Sequence, residues 1–355
     1  IIYATNIAEV PKVNELISLP EIDREKFIEA LKSSGIQREY ANQLSKETVR
    51  NITILRRQLK FDLTRPEWAK PENIRDLIPA ILAGRWHDRK DGDKEMIAKL
   101  AGESYDKYSA KLQRWLNSND TPLVTVDGAW RIISPYEVFL YACNHISAND
   151  FSNYADVLNQ ITTDDDPDAA EKLNSTSPQF WENKQRYSGW FKEGIFQSAI
   201  LISLISESST LQTPHPGKAW IDSLIRDILD QSTITWWYSN KHALHLISEA
   251  APRRYVDYIK NDLTKDDSII RKLFTPKSDT VNIFGPGENY TEILQSLNIL
   301  LWEPELLLPV SQILLELSSI KNDLNTTDKP IDSLQMTYTI WYPQTYATLE
   351  QRLEI

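Results

Sequence analysis

An Asp-Gly dipeptide between two short apolar runs most constrains how this chain folds. Asp127 and Gly128 lie between residues 123–126 and 129–133, and both tolerate the positive φ angles of a tight hairpin turn. Before the hairpin, apolar residues at helical spacing predict an amphipathic helix: Tyr105, Tyr108, Leu112, Trp115 and Leu116. A helix followed directly by a hairpin is typical of the end of a winged-helix unit.

The sequence around the hairpin predicts a winged-helix-like domain over residues 61–146, with three helices and a two-stranded wing. Two helices should precede the amphipathic one: a helix at 77–82, which Pro79 kinks or delays, and a helix capped by Asp93. Residues 85–93 read as a charged loop. We expect Trp130 to anchor the wing near Tyr108 or Trp115, and Ser134 to cap the helix after the wing.

Residues 1–60 predict a strand followed by three short helices. The strand is the apolar run 1–4, which ends at Thr5 and Asn6. Asp23 is typical of an N-cap and Gly35 of a helix end, and further helices are expected at 40–46 and 52–59.

Residues 147–355 predict a helical repeat region. The segment 194–204 is apolar on almost every side, which indicates a fully buried helix. Two segments, 244–263 and 297–317, each read as helix, proline and helix, which favours antiparallel pairs stacked as an α-solenoid. The acidic run 164–166 is expected to be a solvated loop, and the tail 334–353 fits either a helix or a strand. The predicted fold class is therefore mainly α.

The composition argues against several classes of protein. The chain has 355 residues, one cysteine, ten glycines and a formal net charge of -11. The charge opposes non-specific binding to nucleic acid or anionic membranes, and the few glycines argue against Gly-rich phosphate loops. We found no apolar run long enough to span a membrane, so we expect a cytoplasmic protein that needs no membrane. A start on isoleucine suggests a fragment of a longer chain.

Several residue patterns suggest chemistry, but a structural role is the better interpretation of each. His242 and His245 are spaced for a metal, yet no carboxylate completes a metalloprotease motif. Cys143 falls on an apolar helix face, and the glycines at 285 and 287 read as a turn. We therefore predict no catalytic residue and no metal ligand in this chain.

Four basic residues at the third helix and the wing could face DNA: Lys107, Lys111, Arg114 and Arg131. Glu103, Asp106 and Asp127 interrupt that patch, so an intramolecular packing role is the better interpretation. A winged-helix DNA-binding regulator with a helical effector domain remains the alternative, although nucleic acid is an unlikely partner for so acidic a chain.

The order of these parts resembles the C-terminal part of bacterial STAND-type NTPases, as in antiviral STAND anti-phage defence proteins. The run 1–6 is similar to a late strand of an AAA-like core that ends in a polar sensor residue. Residues 19–27 are similar to the Leu-Pro junction before the lid. Residues 48–59 resemble the closing lid helix, which often has glycine where Val49 stands. The runs 77–86, 100–102, 130–135 and 250–252 also resemble such proteins.

This resemblance implies a lid, a winged helix and a helical-repeat sensor that couple target recognition to nucleotide state. ATP and Mg²⁺ would bind to a P-loop domain upstream in the full-length protein, and this chain would need no cofactor of its own. Asn6 is the one residue expected to touch the γ-phosphate or its attacking water. The helical repeats would recognise a protein, such as a phage protein, and the active full-length form would be an oligomer.

Overall fold

A computed structural model describes residues 23–60, 65–118, 120–174, 184–209, 211–275, 290–320 and 329–339. As predicted, this part of the chain is mainly helical, with eighteen α-helices and one three-stranded antiparallel sheet. The helices are α1 Arg24–Ser33, α2 Arg38–Glu47, α3 Ile52–Gln58, α4 Pro71–Ala83, α5 Asp91–Ala101, α6 Tyr105–Leu116, α7 Pro135–Ala142, α8 Ala148–Thr162, α9 Ala169–Asn174, α10 Gly189–Ile205, α11 Gly217–Asp230, α12 Ile234–Ser239, α13 Leu244–Ala250, α14 Pro252–Leu263, α15 Ile269–Phe274, α16 Thr291–Leu300, α17 Pro304–Ser318 and α18 Pro330–Thr339.

The predicted hairpin is present and is joined by a strand that the sequence did not reveal. β2 (Leu123–Val126) and β3 (Ala129–Ile132) are connected by Asp127 and Gly128, whose φ angles are 53° and 82°. β1 (Arg85–His87) pairs with the other edge of β3, giving the order β1-β3-β2. The expected charged loop over 85–93 is thus wrong at its start, because three residues are too few to show a strand period.

Trp130 lies in the core and holds the sheet together. It is 3% exposed and stacks on Trp86, its cross-strand partner, with ring centroids 5.2 Å apart. Its burial was predicted, but the aromatic ring that it stacks on belongs to β1 rather than to α6. The pair closes the face of the sheet against α6, since the Trp86 indole N–H donates to the Tyr105 hydroxyl at 3.1 Å.

Helices α1 to α3 have a small core of their own. Six buried side chains form it: Phe27, Ile28, Leu31, Ala41, Leu44 and Leu55. Asp23 caps α1 as predicted, because its carboxylate accepts the backbone N–H groups of Glu25 and Lys26. A second, continuous core runs from Trp68 to Leu317 and includes both the sheet and the later helices.

Helix α4 begins at Pro71 and continues through Pro79, so the predicted late start is wrong. The hydroxyl of Tyr108 lies at the point where proline disturbs the helix. It accepts the Ala80 backbone N–H at 2.9 Å and donates to the Asp76 carbonyl oxygen at 3.1 Å. A side chain from α6 thus satisfies two backbone groups that a proline-disturbed helix does not pair internally.

Helix α10 joins the sheet to the later helices. It packs against α4 and β1 on one side and against α11 and α13 on the other. Ten of its residues are buried: Phe191, Lys192, Gly194, Ile195, Phe196, Ser198, Ala199, Leu201, Ile202 and Ile205. The predicted full burial of 194–204 is therefore correct for most of the segment, but it is wrong at Leu204, which is 50% exposed.

The two predicted helix pairs are present, each with a proline at the start of its second helix. Pro252 opens α14 after α13, and Pro304 opens α17 after α16. A further pair, α10 and α11, precedes them. The first helices pack in the order α10, α13 and α16, and the second helices pack in the order α11, α14 and α17. Helix α18 packs on α17.

Candidate functional site

The basic residues of α6 are paired with carboxylates. Lys107 and Lys111 both contact Glu103, the first at 3.1 Å, and the Arg114 guanidinium lies 2.9 Å from the Asp76 carboxylate. Exposed pairs of this kind contribute little to stability. They do lower the positive charge that a phosphate backbone would meet, which favours the packing role of α6 over DNA binding.

The fourth basic residue of that patch, Arg131, lies on the other face of the sheet. Side chains alternate along β3, and Trp130 occupies the face toward α6. Arg131 therefore points to the outer face, which is the face away from α6, where it is half-buried and directly opposite Arg85. Helix α10 covers part of this face, since Trp190 and Glu193 both contact Arg85. The structure does not bring the four predicted residues together.

Asp93 ties β1 to the start of α10. Its buried carboxylate accepts the His87 backbone N–H at 2.9 Å, the Ser188 backbone N–H at 2.8 Å and the Ser188 hydroxyl. Burial raises the pKa of Asp93, and these hydrogen bonds oppose that rise. The predicted N-cap role is wrong, because α5 begins at Asp91.

A buried lysine lies one turn further along α10. Lys192 is 3% exposed, and its ammonium donates to the Asp164 carbonyl oxygen and to Asn240 Oδ1, both at 3.1 Å. Burial lowers its pKa to about 8, although the aspartates at 164, 165 and 166 partly offset the effect. In the sequence, the one sign of this site is that Lys192 stands within an apolar helical stretch.

The acidic run 164–166 is folded against this lysine, so the predicted solvated loop is wrong. The Asp164 carboxylate accepts the backbone N–H groups of Arg186 and Tyr187 at 3.1 and 3.3 Å. Asp165 accepts the Thr235 hydroxyl at 2.7 Å, and Asp166 pairs with Lys172. Local sequence could not show this, because the partners of Asp164 and Asp165 come from 22 to 70 residues further along the chain.

Arg57 links α3 to the sheet region. Its side chain is 8% exposed, and one amino group lies 2.7 Å from both carboxylate oxygens of Asp120. Its other nitrogens contact Glu137 on α7, and the guanidinium lies over the Trp68 ring. Desolvation lowers the pKa of Arg57, but the two carboxylates outweigh it and raise the pKa overall.

Ser134 makes a second link between the same two regions. It precedes α7 as predicted, but its side chain does not cap that helix. With a φ angle of 50°, it instead donates to the Glu47 carbonyl oxygen at 2.9 Å and accepts from Gln58 at 2.7 Å.

The cysteine and the two histidines that the sequence suggests as candidates for chemistry lie in positions that fit a structural role. Cys143 is 3% exposed, and its thiol lies 3.2 Å from the Leu140 carbonyl oxygen. His242 is exposed before α13, and His245 is half-buried on that helix. Among the described residues, no group of three His, Cys, Asp or Glu side chains is arranged to hold a metal. Asn6, the glycines at 285 and 287, and the tail beyond Thr339 lie outside the described residues.

The second helices of the three pairs present a face of mixed charge. Arg253 on α14 pairs with Glu305 on α17, and Arg271 on α15 lies 2.9 Å from Glu316. Residues 290–320 carry four glutamates and no lysine or arginine. Two leucines of α17 are also exposed, Leu308 at 47% and Leu315 at 62%.

Comparisons with protein-family models, with curated proteins and with solved structures give no match for this chain. Among the described residues, no helix has both the length and the apolar composition needed to cross a bilayer.

Proposed function

We propose that this chain is a non-catalytic regulatory and target-sensing region that recognises a protein through its helix pairs. The observation that carries the proposal is the order of packing, first helix on first and second on second, over three successive pairs. This order supports an α-solenoid interpretation. Stacked pairs bury their apolar stripes on each other and leave one long face, which suits a macromolecule better than a small ligand.

The charge of that face supports a protein partner with basic patches. The last pair, α16 and α17, has only acidic charges of its own, two of which pair with Arg253 and Arg271 of the preceding helices. Exposed Leu308 and Leu315 lie seven residues apart on one side of α17. Exposed leucines beside carboxylates fit an interface with an apolar centre and a charged rim. The formal net charge of -11 further disfavours a nucleic acid partner.

The element order α4, β1, α5, α6, β2 and β3 supports a winged-helix interpretation of the middle region. Its third helix, α6, packs into the interior, where the Tyr108 hydroxyl accepts a backbone N–H group of α4. The basic residues of α6 are paired with carboxylates of the same chain. We therefore assign this unit to internal packing and regulation rather than to DNA reading.

One backbone feature supports the resemblance to STAND-type NTPases. Val49 has a φ angle of 51°, in the left-handed region that glycine favours, and it stands where that family often has glycine. The proposal then extends to the natural full-length protein. An upstream domain would bind ATP and Mg²⁺, and the active form would be an oligomer triggered by a foreign protein.

Charge substitutions on α17 test the proposal in the full-length protein. Leu308→Arg and Leu315→Arg should abolish the response to the trigger without lowering the melting temperature, because both side chains are exposed. Val126→Arg, at the exposed hairpin tip, is the matched control and should respond normally. If both α17 variants fold and respond, the helix pairs are a passive spacer and the proposal is wrong.

A further inference from the structure

The outer face of the sheet places two like charges directly opposite each other. Arg85 of β1 and Arg131 of β3 are cross-strand partners, an arrangement that destabilises an antiparallel sheet. The charge of Arg85 has a partner, because its guanidinium lies 2.8 Å from the Glu193 carboxylate and 2.9 Å from the Gln197 side-chain oxygen. Within the part of the chain that the structure describes, Arg131 has no hydrogen bond from its guanidinium and no ion pair.

A third arginine lies in the α2–α3 connection, which is held beside the end of β3 because Ser134 donates to the Glu47 carbonyl oxygen and accepts from Gln58. Arg50, in the α2–α3 connection, has a φ angle of 62°, and its backbone N–H is held by the Thr48 hydroxyl at 3.2 Å. Its guanidinium also has no acceptor among the described residues. Burial, Arg85 and Arg50 together lower the pKa of Arg131, so both neighbouring charges act on it.

This cluster is costly for the folded chain unless something else compensates it. Partial burial disfavours the charge of Arg131, and no acceptor among the described residues offsets that cost, although its nitrogens still reach solvent. The chain has 50 acidic and 39 basic residues, so carboxylates are plentiful elsewhere. A local surplus of positive charge in an acidic protein is a feature of anion sites, where arginine donates in a planar fork.

We propose that Arg131 and Arg50, with Arg85 beside them, bind a phosphate-class oxyanion between the α2–α3 connection and the outer face of the sheet. The oxygens of the anion supply the acceptors that Arg131 and Arg50 lack. The bound anion joins helices α1 to α3 to the sheet, beside the links made by Arg57 and Ser134. This site is independent of protein recognition by the helix pairs, and the failure of either proposal leaves the other standing.

Thermal melts of the purified chain test the site with inorganic pyrophosphate as the probe, against sodium chloride of equal ionic strength. Pyrophosphate should raise the melting temperature of the wild type in a saturable manner. Arg131→Gln should weaken the apparent affinity by at least about tenfold. Arg50→Gln should also weaken the apparent affinity for pyrophosphate. Arg56→Gln, an exposed arginine of α3, is the matched control and should match the wild type.

The variants without anion give a second, independent readout. Removing the Arg131 charge relieves its repulsion with Arg85, so Arg131→Gln should keep or raise the melting temperature in chloride. A lower melting temperature in chloride would mean that Arg131 is already paired within the protein, and it would overturn the proposal. So would a wild-type melting temperature that pyrophosphate does not change.

A nucleoside diphosphate in a parallel series identifies the source of the phosphate. If the nucleotide raises the melting temperature as much as pyrophosphate does, the site binds free phosphate compounds. A larger rise with the nucleotide indicates that the site binds a nucleotide. Both results support the oxyanion site. Protection by the nucleotide alone, with none by pyrophosphate, would show that the phosphate groups are not what the arginines recognise, and would contradict the proposal.

Discussion

Gly84 and Gly194 meet backbone to backbone where the α4–β1 junction crosses α10. A Cβ atom on Gly84 would lie 2.8 Å from the Gly194 carbonyl oxygen, and one on Gly194 would lie 2.3 Å from the Ala83 carbonyl oxygen. The other neighbours are backbone atoms too, so no flexible side chain can move aside. This contact sets the distance between the sheet region and the helix pairs.

Gly194→Ala should therefore destabilise the protein by about 3 kcal/mol or more, because the methyl group forces two packed backbones apart. Gly189→Ala is the control on the same helix, since a Cβ atom there meets nothing within 4 Å. Urea unfolding of both variants gives the comparison. Equal stability of the two would show that α10 and β1 separate readily.

Tyr108→Phe should cost about 1–3 kcal/mol, because the Ala80 N–H and the Asp76 carbonyl oxygen would lose their shared partner in the core. Tyr136→Phe removes an exposed hydroxyl from α7 and should be neutral. In a Pro79→Ala background the helix can close its own hydrogen bonds, so the cost of Tyr108→Phe should fall. A double-mutant cycle measures this, and additive effects would contradict the bridging role.

Trp130→Ala should cost roughly 3–5 kcal/mol, because it removes a buried ring that stacks on Trp86. The control on the same hairpin is Val126→Ala, whose side chain is 69% exposed. An unchanged melting temperature for Trp130→Ala would mean that the hairpin is a free arm, and DNA reading would again be an open hypothesis.

Val49→Gly should be more stable than Val49→Ala by about 1 kcal/mol, the reverse of the usual order at ordinary backbone angles. The reason is the φ angle of 51° at residue 49, which any side chain with a Cβ atom strains. Chemical unfolding of the two variants measures the difference. An alanine variant as stable as the glycine variant would contradict the strain.

Stability should depend on Lys192 above neutral pH. Because the pKa of Lys192 falls from 10.5 to about 8 on folding, the unfolded chain holds more protons between these values. The contribution of this lysine to stability therefore rises with pH across that window, by about 1–3 kcal/mol. In urea unfolding from pH 7.5 to 10, the free energy of unfolding of the wild type should rise relative to that of Lys192→Met. Lys260→Met, which removes an exposed lysine, is the control.

Local patterns in the sequence predicted the elements that local forces determine. The Asp127-Gly128 turn, the stripe of α6 and the proline starts of α14 and α17 depend on residues near one another in the chain. β1 was missed, since a strand of three residues acquires its identity from β3, more than 40 residues later. Long-range pairing also explains the errors at Asp93 and in the acidic run 164–166.

The candidate sites were harder to predict for the same reason. Glu103, which pairs with Lys107 and Lys111, was recognised in the sequence because it lies within two helical turns of them. Asp76, the partner of Arg114, was not, because it comes from α4. The sequence gives no sign that Arg131 faces away from the basic residues of α6 or that Arg50 lies near it. Which charges remain unpaired is a property of the folded chain.

We propose that α17 belongs to a surface that contacts another protein. A photo-cross-linking residue at position 315 of the full-length protein tests it directly, with one at position 126 as the control, since Leu315 and Val126 are 62% and 69% exposed. After exposure to the trigger, we predict a protein adduct at 315 that Leu308→Arg abolishes, and none at 126. An adduct at neither position, or at 126 alone, would contradict the claim.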